Sequence, residues 1–123
     1  MIANIEQETI DNVRRLRNHP SIAIWNGNNE VLIGWENWGW QRDLDDKQKV
    51  LVFGWYENIF NKTIPNVISA VDPDRFYWPT SPTSQAPGNY SFGDIHQWTV
   101  WAAKGDIELY NDYIGRFNSE YGM

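Results

Sequence analysis

Short apolar segments that alternate with helix-forming ones limit the fold of this chain more than any other feature. Residues 21–25, Ser-Ile-Ala-Ile-Trp, are almost wholly apolar, which is typical of a strand buried on both faces of a parallel sheet. The preceding residues, 2–16, carry apolar side chains three or four positions apart, as on one face of an amphipathic helix. His19-Pro20 ends that helix, because proline disfavours the helical conformation of the residue before it.

The same alternation continues to the end of the chain and predicts an α/β fold with parallel strands. A polar loop (26–30), an aromatic loop (35–40) and a Ser/Pro/Gly-rich loop (80–92) connect the predicted elements. In order, these elements are helix 2–16, strand 21–25, helices 43–60 and 63–71, strands 75–78 and 95–101, helix 106–113 and strand 116–119. Because the sequence begins inside a helix and stops as a strand ends, we expect a segment of a larger barrel. Residues 1–123 are then one partial domain without an internal boundary.

Composition excludes several classes of protein. The 16 acidic and 10 basic residues give a net charge of −6, which would repel a polyphosphate, so nucleic acid is not an expected partner. The absence of cysteine excludes disulfides and thiolate metal sites. No apolar run approaches the roughly 20 residues that span a bilayer, so no membrane partner is expected. The N-terminus lacks the pattern of a signal peptide, and the sequence identifies no compartment.

Two glutamates follow predicted strands: Glu30 comes after Trp25, and Glu120 comes after Phe117. The carboxyl ends of strands in a parallel barrel converge on one face, where catalytic groups are found. Two converging carboxylates beside aromatic loops suit glycoside hydrolysis, in which one protonates the leaving oxygen and the other attacks the anomeric carbon or activates water. The alternative for each glutamate is a solvated loop carboxylate without a catalytic role.

Three motifs carry a family resemblance. The segment Arg-Asn-His-Pro-Ser at 17–21, followed by Trp-Asn-Gly-Asn-Asn-Glu at 25–30, resembles the acid/base motif of glycoside hydrolase family 2, in a form most like its β-mannosidases. Residues 117–123 resemble the nucleophile motif, and Gly-Asp-Ile-His at 93–96, which runs into Trp98, resembles the segment one strand earlier. The resemblance covers essentially the whole chain. It implies part of a (β/α)8 TIM barrel, roughly from the third helix through the seventh strand.

The resemblance also implies roles for individual residues. Glu30 is the expected general acid/base and Glu120 the expected nucleophile. Asn29 matches the asparagine that binds the sugar 2-hydroxyl, with an Asx-turn role as the alternative. His96 matches a histidine of the sugar pocket, and its alternative is a structural hydrogen bond. Trp38 and Trp98 are expected to line the sides of the sugar-binding site.

The function that the resemblance implies is that of a retaining exo-β-glycosidase, most like a β-mannosidase, which uses no cofactor and no metal. Its expected partners are a β-mannoside substrate and the missing barrel strands and β-sandwich domains of a longer chain, without which we expect no activity. Two alternatives remain open: another activity of the same family, of the β-galactosidase or β-glucuronidase type, and a carbohydrate-binding module without turnover. The sequence does not establish sugar or linkage specificity or the oligomeric state.

Overall fold

The structure is a computed structural model that describes residues 1–83, 92–102, 105–112 and 114–122. It mixes helices with short strands and divides into two compact units, Met1–Thr80 and Ser81–Met123. Among the described residues, no helix is both long enough and apolar enough to cross a membrane.

The first unit is built on helix α1, Ile2–Leu16, which has the bounds that the apolar spacing predicts. Val13, on the apolar face of α1, is one of the buried residues. This face packs against helix α4, Ile64–Val71, and against the turn that precedes α4. Burial of these apolar faces, rather than intrinsic propensity, is what stabilises such helices.

A continuous helical run leads into α4. Helix α3 spans Asp46–Asn58 and passes through a π-helical turn, Ile59–Thr63, directly into α4. Asp45 caps α3: its carboxylate accepts from the Gln48 N–H at 2.9 Å, and the Gln48 side chain accepts from the Asp45 N–H at 2.9 Å. This capping box fixes the start of α3, three residues after the start of the predicted helix 43–60. The wider π turn lies just before Pro65, a residue that has no N–H to donate to the preceding turn.

The first unit also holds a parallel strand pair, and helices α2 (Val31–Asn37), α3 and α4 lie between the two strands along the chain. Strand β1 is Trp25–Asn26 and strand β2 is Tyr77–Trp78, and Trp25 pairs with Tyr77. Parallel pairing is confirmed, but the predicted strands 21–25 and 75–78 are too long. Residues 21–24 form a turn and irregular backbone in place of a strand, because apolar character alone does not make a strand without a partner to hydrogen-bond.

The predicted aromatic loop at 35–40 is wrong in its first half. Helix α2 spans Val31–Asn37 and therefore includes Trp35. The chain then turns back so that the Trp40 indole lies against Gly34, where a Cβ atom would stand 2.6 Å from the ring. Glycine at 34 allows this close approach, and the pattern of aromatic residues gave no indication of it.

The second unit contains another parallel pair. Strand β3 is Ile95–Gln97 and strand β4 is Asn118–Tyr121. The strand predicted at 95–101 ends earlier than expected, since the backbone turns at residues 99–102. The strand predicted at 116–119 lies two residues later along the chain, at 118–121. A short 3-10 helix, Ile107–Asn111, replaces the predicted helix 106–113. Most of the predicted loop 80–92 lies outside the described residues.

Candidate active site

Glu30 lies at the start of helix α2 in the first unit and has an unusual backbone. Its φ is 61° and its ψ is 5°, in the left-handed region, which few residues other than glycine adopt. Its carbonyl accepts from the Gly34 N–H at 2.8 Å and so begins the helix. Such backbone strain costs of the order of 1–3 kcal/mol and collects at functional sites. Its half-buried side chain has contacts within the structure.

Asn28 secures the loop that carries Glu30. The Asn28 amide donates to the Pro79 carbonyl at 2.7 Å, just beyond strand β2. Its side-chain oxygen accepts from the Val31 N–H at 3.1 Å and from the Thr80 hydroxyl at 3.2 Å. Asn28 therefore joins the ends of β1 and β2 and also caps α2, and this fixes the backbone on either side of Glu30.

A row of packed aromatic rings lies next to Asn28. The rings of Trp35, Phe53, Tyr56 and Phe60 follow one another with centroids 5.0–6.0 Å apart. The Tyr56 hydroxyl lies 3.5 Å from the Asn28 amide. Burial raises the pKa of Tyr56 above its ordinary value, against the lowering effect of the hydrogen bond to Asn28. Its phenol therefore stays neutral beside Asn28 at physiological pH.

Glu120 lies within strand β4 of the second unit and not after the strand, as the sequence analysis expected. It pairs in register with His96 of β3. One carboxylate oxygen, Oε1, accepts from the Trp98 indole N–H at 2.8 Å. The other, Oε2, lies 3.8 Å from His96 Nδ1. The Glu120 side chain keeps 33% of its surface exposed whereas that of His96 keeps 5%, so the carboxylate is held on one side and accessible on the other.

A buried carboxylate stands behind His96. Asp94 is 1% exposed, and its Oδ2 accepts from the hydroxyls of Ser81 at 2.5 Å and Ser119 at 2.6 Å. Its Oδ1 accepts from the N–H and the hydroxyl of Thr83, both at 2.6 Å. Ser81 Oγ also lies 2.9 Å from His96 Nε2. Within the second unit, the structure thus links Asp94 to Glu120 through Ser81 and His96.

The protonation of Asp94 follows from these contacts. Burial raises the pKa of the Asp94 carboxyl, but the hydrogen bonds from Ser119, Ser81 and Thr83 together outweigh burial, and the pKa is lowered below its ordinary value. Asp94 is therefore an ionised carboxylate at neutral pH and acts only as an acceptor.

The tryptophans divide by exposure. Trp38 is 48% exposed and meets Trp40 edge to face, while Trp98 is 37% exposed and donates to Glu120. Trp35 packs on Phe53. Trp78, in β2, packs edge to face on Phe76. The exposed rings of Trp38 and Trp98 can stack on a sugar, although Trp40, Trp55 and Trp101 are exposed as well.

The structure brings some of the predicted site residues together. His96, Trp98 and Glu120 form one group in the second unit, while Asn29, Glu30 and Trp38 belong to the first. Asn29 is exposed, as a residue that contacts a substrate must be before the substrate binds. His19 is exposed, and its backbone forms the turn after α1, as predicted.

Sequence reasoning missed Asn28, Ser81 and Asp94. The repeated asparagines before Glu30 and the Gly-Asp-Ile-His motif were both visible, but neither indicated which side chain supports the site. Ser81 and Asp94 are separated along the chain by a loop without periodicity, so no sequence signal connects them.

The chain is similar to parts of known proteins. Beta-mannosidase B of Aspergillus clavatus is 36% identical to this chain over 132 aligned positions, which cover the whole chain and 15% of that protein. Beta-mannosidase B of Aspergillus niger has the same identity and coverage. A crystal structure of a beta-D-mannosidase from Dictyoglomus thermophilum matches 99% of this chain and 14% of its own, with a TM-score of 0.74 and 35% identity. No protein-family profile matches.

The relatives named here are β-mannosidases, and this chain is similar over its whole length to a segment of them. It spans about 15% of the length of the curated relatives that it matches.

The hydrogen bonds of Asn28 predict that replacing this residue destabilises the first unit. In Asn28→Ala, the Val31 N–H and the Pro79 carbonyl lose their side-chain partner, and we expect the free energy of unfolding to fall by about 1–3 kcal/mol. Asn28→Asp keeps the acceptor but places a carboxylate against the Pro79 carbonyl, so it should not restore stability. Urea unfolding measures both. Asn4→Ala, on the exposed face of α1, is the control and should change stability by less than about 0.5 kcal/mol. Equal losses in Asn4→Ala and Asn28→Ala would contradict this role.

Asp94 predicts an acid-dependent loss of stability. Its folded pKa lies below the unfolded value of about 3.9, so its contribution is present above that pH and is lost as the pH falls through the folded pKa. We expect Asp94→Asn to be less stable than wild type at pH 7 and to depend less on pH below about 4. Urea unfolding between pH 7 and pH 2 measures the effect, with the exposed Asp112→Asn as the control. An unchanged acid slope in Asp94→Asn would show that Asp94 does not contribute in this way.

Proposed function

We propose that this chain is the part of a retaining exo-β-mannosidase that supplies both catalytic carboxylates, Glu30 and Glu120. The whole-length homology to β-mannosidases supports the substrate class. The observation that carries the chemistry is the setting of Glu120, whose Oε1 accepts from the Trp98 indole at 2.8 Å while the rest of the carboxylate stays accessible. A nucleophilic carboxylate has to be ionised, oriented and reachable in this manner.

The proposed reaction has two steps. In the first, Glu120 attacks the anomeric carbon of a terminal β-mannosyl unit, the glycosidic bond breaks, and Glu30 gives its proton to the leaving oxygen. In the second, Glu30 takes a proton from water, the resulting hydroxide attacks the same carbon, and Glu120 leaves as a carboxylate. A retaining pair requires the two carboxyl groups to be about 5–5.5 Å apart, and the mannose released should keep the β configuration.

The substrate-binding roles follow the same proposal. Asn29 precedes the acid/base, is exposed, and is the proposed ligand of the sugar 2-hydroxyl. The exposed faces of Trp38 and Trp98 are proposed to wall the sugar. His96 has little free surface, so its proposed contribution to the pocket comes from its ring edge near Glu120. The proposed reaction needs no cofactor.

The proposal places the 123 residues in one catalytic (β/α)8 barrel of glycoside hydrolase family 2, from the third helix through the seventh strand. The two parallel strand pairs support a parallel sheet. The remaining strands and the β-sandwich domains are the proposed partners on a longer chain, and carbohydrate metabolism is the proposed setting. Residues 1–123 alone should hydrolyse nothing measurable, since they leave much of the pocket wall to other strands.

The role of Glu120 is tested in the full-length protein that carries this chain. A 2-deoxy-2-fluoro-β-mannosyl fluoride should form a covalent adduct, which peptide mass spectrometry should locate on Glu120. Glu120→Gln keeps the shape of the side chain but removes the nucleophile, so turnover of p-nitrophenyl β-mannoside should fall by about 10⁴-fold. The exposed Glu108→Gln, in the same unit, is the matched control and should retain activity.

The outcomes separate the open alternatives. An adduct on another residue would exclude Glu120 as the nucleophile. Mannoside binding without any adduct or turnover would indicate a carbohydrate-binding module. Faster hydrolysis of the p-nitrophenyl β-galactoside or β-glucuronide than of the β-mannoside would assign the other activities of the family.

The acid role of Glu30 is tested by comparing a substrate whose leaving group needs a proton with one whose leaving group does not. In Glu30→Gln, hydrolysis of a mannobiose should fall by about 10²–10⁴-fold, because the alcohol leaving group needs a proton. Release of dinitrophenol from dinitrophenyl β-mannoside should fall much less in the first turnover, because this leaving group departs without one. A rapid-mixing measurement should then show a burst followed by slow turnover. The exposed Glu36→Gln, on α2, is the control, and equal losses on both substrates would contradict the acid role.

A further inference from the structure

A chain of hydrogen bonds and close contacts leads from a buried carboxylate to the proposed nucleophile within the second unit. Ser81 Oγ is 2.5 Å from Asp94 Oδ2 and 2.9 Å from His96 Nε2. On the opposite side of the ring, His96 Nδ1 is 3.8 Å from Glu120 Oε2. Ser81 and Asp94 are buried, at 5% and 1% exposure, so neither is itself positioned to touch a substrate.

The contacts determine where the protons lie. The Asp94 carboxylate can only accept, so the Ser81 hydroxyl proton points to Asp94. The Ser81 oxygen is then left to accept, and the proton between Ser81 and His96 belongs to Nε2. A hydroxyl without a fixed partner could instead turn and donate to His96. Asp94 therefore determines, through Ser81, that His96 Nε2 is the donor in this contact.

The opposite nitrogen of the ring faces Glu120. With its Nε2–H committed to Ser81, the imidazole is held in one orientation that aims Nδ1 at Glu120 Oε2. At 3.8 Å this approach is a close contact and not a hydrogen bond, so His96 restricts the carboxylate by its position. Trp98 holds the other oxygen, Oε1, at 2.8 Å. Both oxygens of Glu120 thus have a ring nitrogen nearby, and this limits how the carboxylate can rotate.

The order of the groups differs from that of a serine nucleophile. In a Ser-His-Asp triad the histidine lies between the serine and the aspartate and accepts the serine proton. Here the serine lies between the other two, and its proton goes to Asp94. Ser81 is therefore not activated for attack, and its place in the chain is that of a connector.

We propose that Asp94 and Ser81 are positioning residues for Glu120 that act through His96. This inference rests on the proposed nucleophilic role of Glu120. Asp94 orients the Ser81 hydroxyl, Ser81 holds the His96 ring by Nε2, and His96 with Trp98 holds the carboxylate for attack on the anomeric carbon. When the carboxylate leaves in the second step, the same groups stabilise the charge that returns to it.

Thr83 offers a matched control for Ser81. Both residues donate a hydroxyl hydrogen bond to Asp94, at 2.6 Å from Thr83 and at 2.5 Å from Ser81. Ser81 also lies 2.9 Å from His96 Nε2. The variants Ser81→Ala and Thr83→Val each remove one hydroxyl donor from Asp94. If Asp94 only stabilises the fold, the two variants should have similar effects on catalysis. If Asp94 acts through Ser81, only the first should impair attack by Glu120.

The measurement is the rate of inactivation of the full-length protein by 2-deoxy-2-fluoro-β-mannosyl fluoride, which reports attack by Glu120 without the second step. We expect Ser81→Ala to lower this rate by about 10- to 100-fold, the usual effect of losing an outer-shell partner. Thr83→Val should lower it by less than about 3-fold. Asp94→Asn should resemble Ser81→Ala, and thermal unfolding checks that each variant is folded. Equal effects of Ser81→Ala and Thr83→Val would overturn the inference.

A double variant adds a test that distinguishes action of Ser81 through His96 from a purely structural role of Ser81. If Ser81 acts through His96, then Ser81→Ala should slow inactivation no further, within about 2-fold, once His96→Gln is present. Multiplied losses in the double variant would overturn the inference. Failure of the wild-type protein to form the adduct on Glu120 would instead overturn the proposed function, and the two failures are therefore distinct.

Discussion

The buried carboxylate of Asp94 is the interaction on which the second unit depends. A charge removed from water is costly unless donors replace the water, and here three hydroxyls and one backbone N–H do so. The short side chains Ser81, Thr83 and Ser119 bring segments together that lie far apart in sequence. One of them, Ser119, directly precedes Glu120, so the same carboxylate that orders the unit also fixes the strand that carries the proposed nucleophile.

The helices were largely predictable from the sequence because their signals are local. The apolar spacing of residues 2–16 predicted both ends of α1, and the helix predicted from residue 43 begins three residues later, at Asp46 of α3. The strands were less predictable from the sequence, because a strand forms only where a partner strand can hydrogen-bond to it. Residues 21–25 have the composition of a strand, yet the ladder begins at Trp25, where Tyr77 lies alongside. The left-handed backbone of Glu30 likewise has no local signal.

The candidate site was predictable only where a motif marked it. The resemblance identified Glu30 and Glu120 as candidates. The residues that hold them are recognised from interatomic distances in the structure and not from a sequence motif. Asn28 joins the ends of two strands across 51 positions of sequence, and Ser81 meets Asp94 across 13. Such long-range polar contacts come from the tertiary fold, so a single sequence does not reveal them.

The positive φ of Glu30 has an evolutionary consequence. A glycine at this position would adopt the same backbone with less strain, but it would lose the contacts of the Glu30 side chain and more conformational entropy on folding. Stability and turnover therefore place different demands on this position: the backbone conformation suits glycine, whereas the proposed acid/base role requires a carboxyl group.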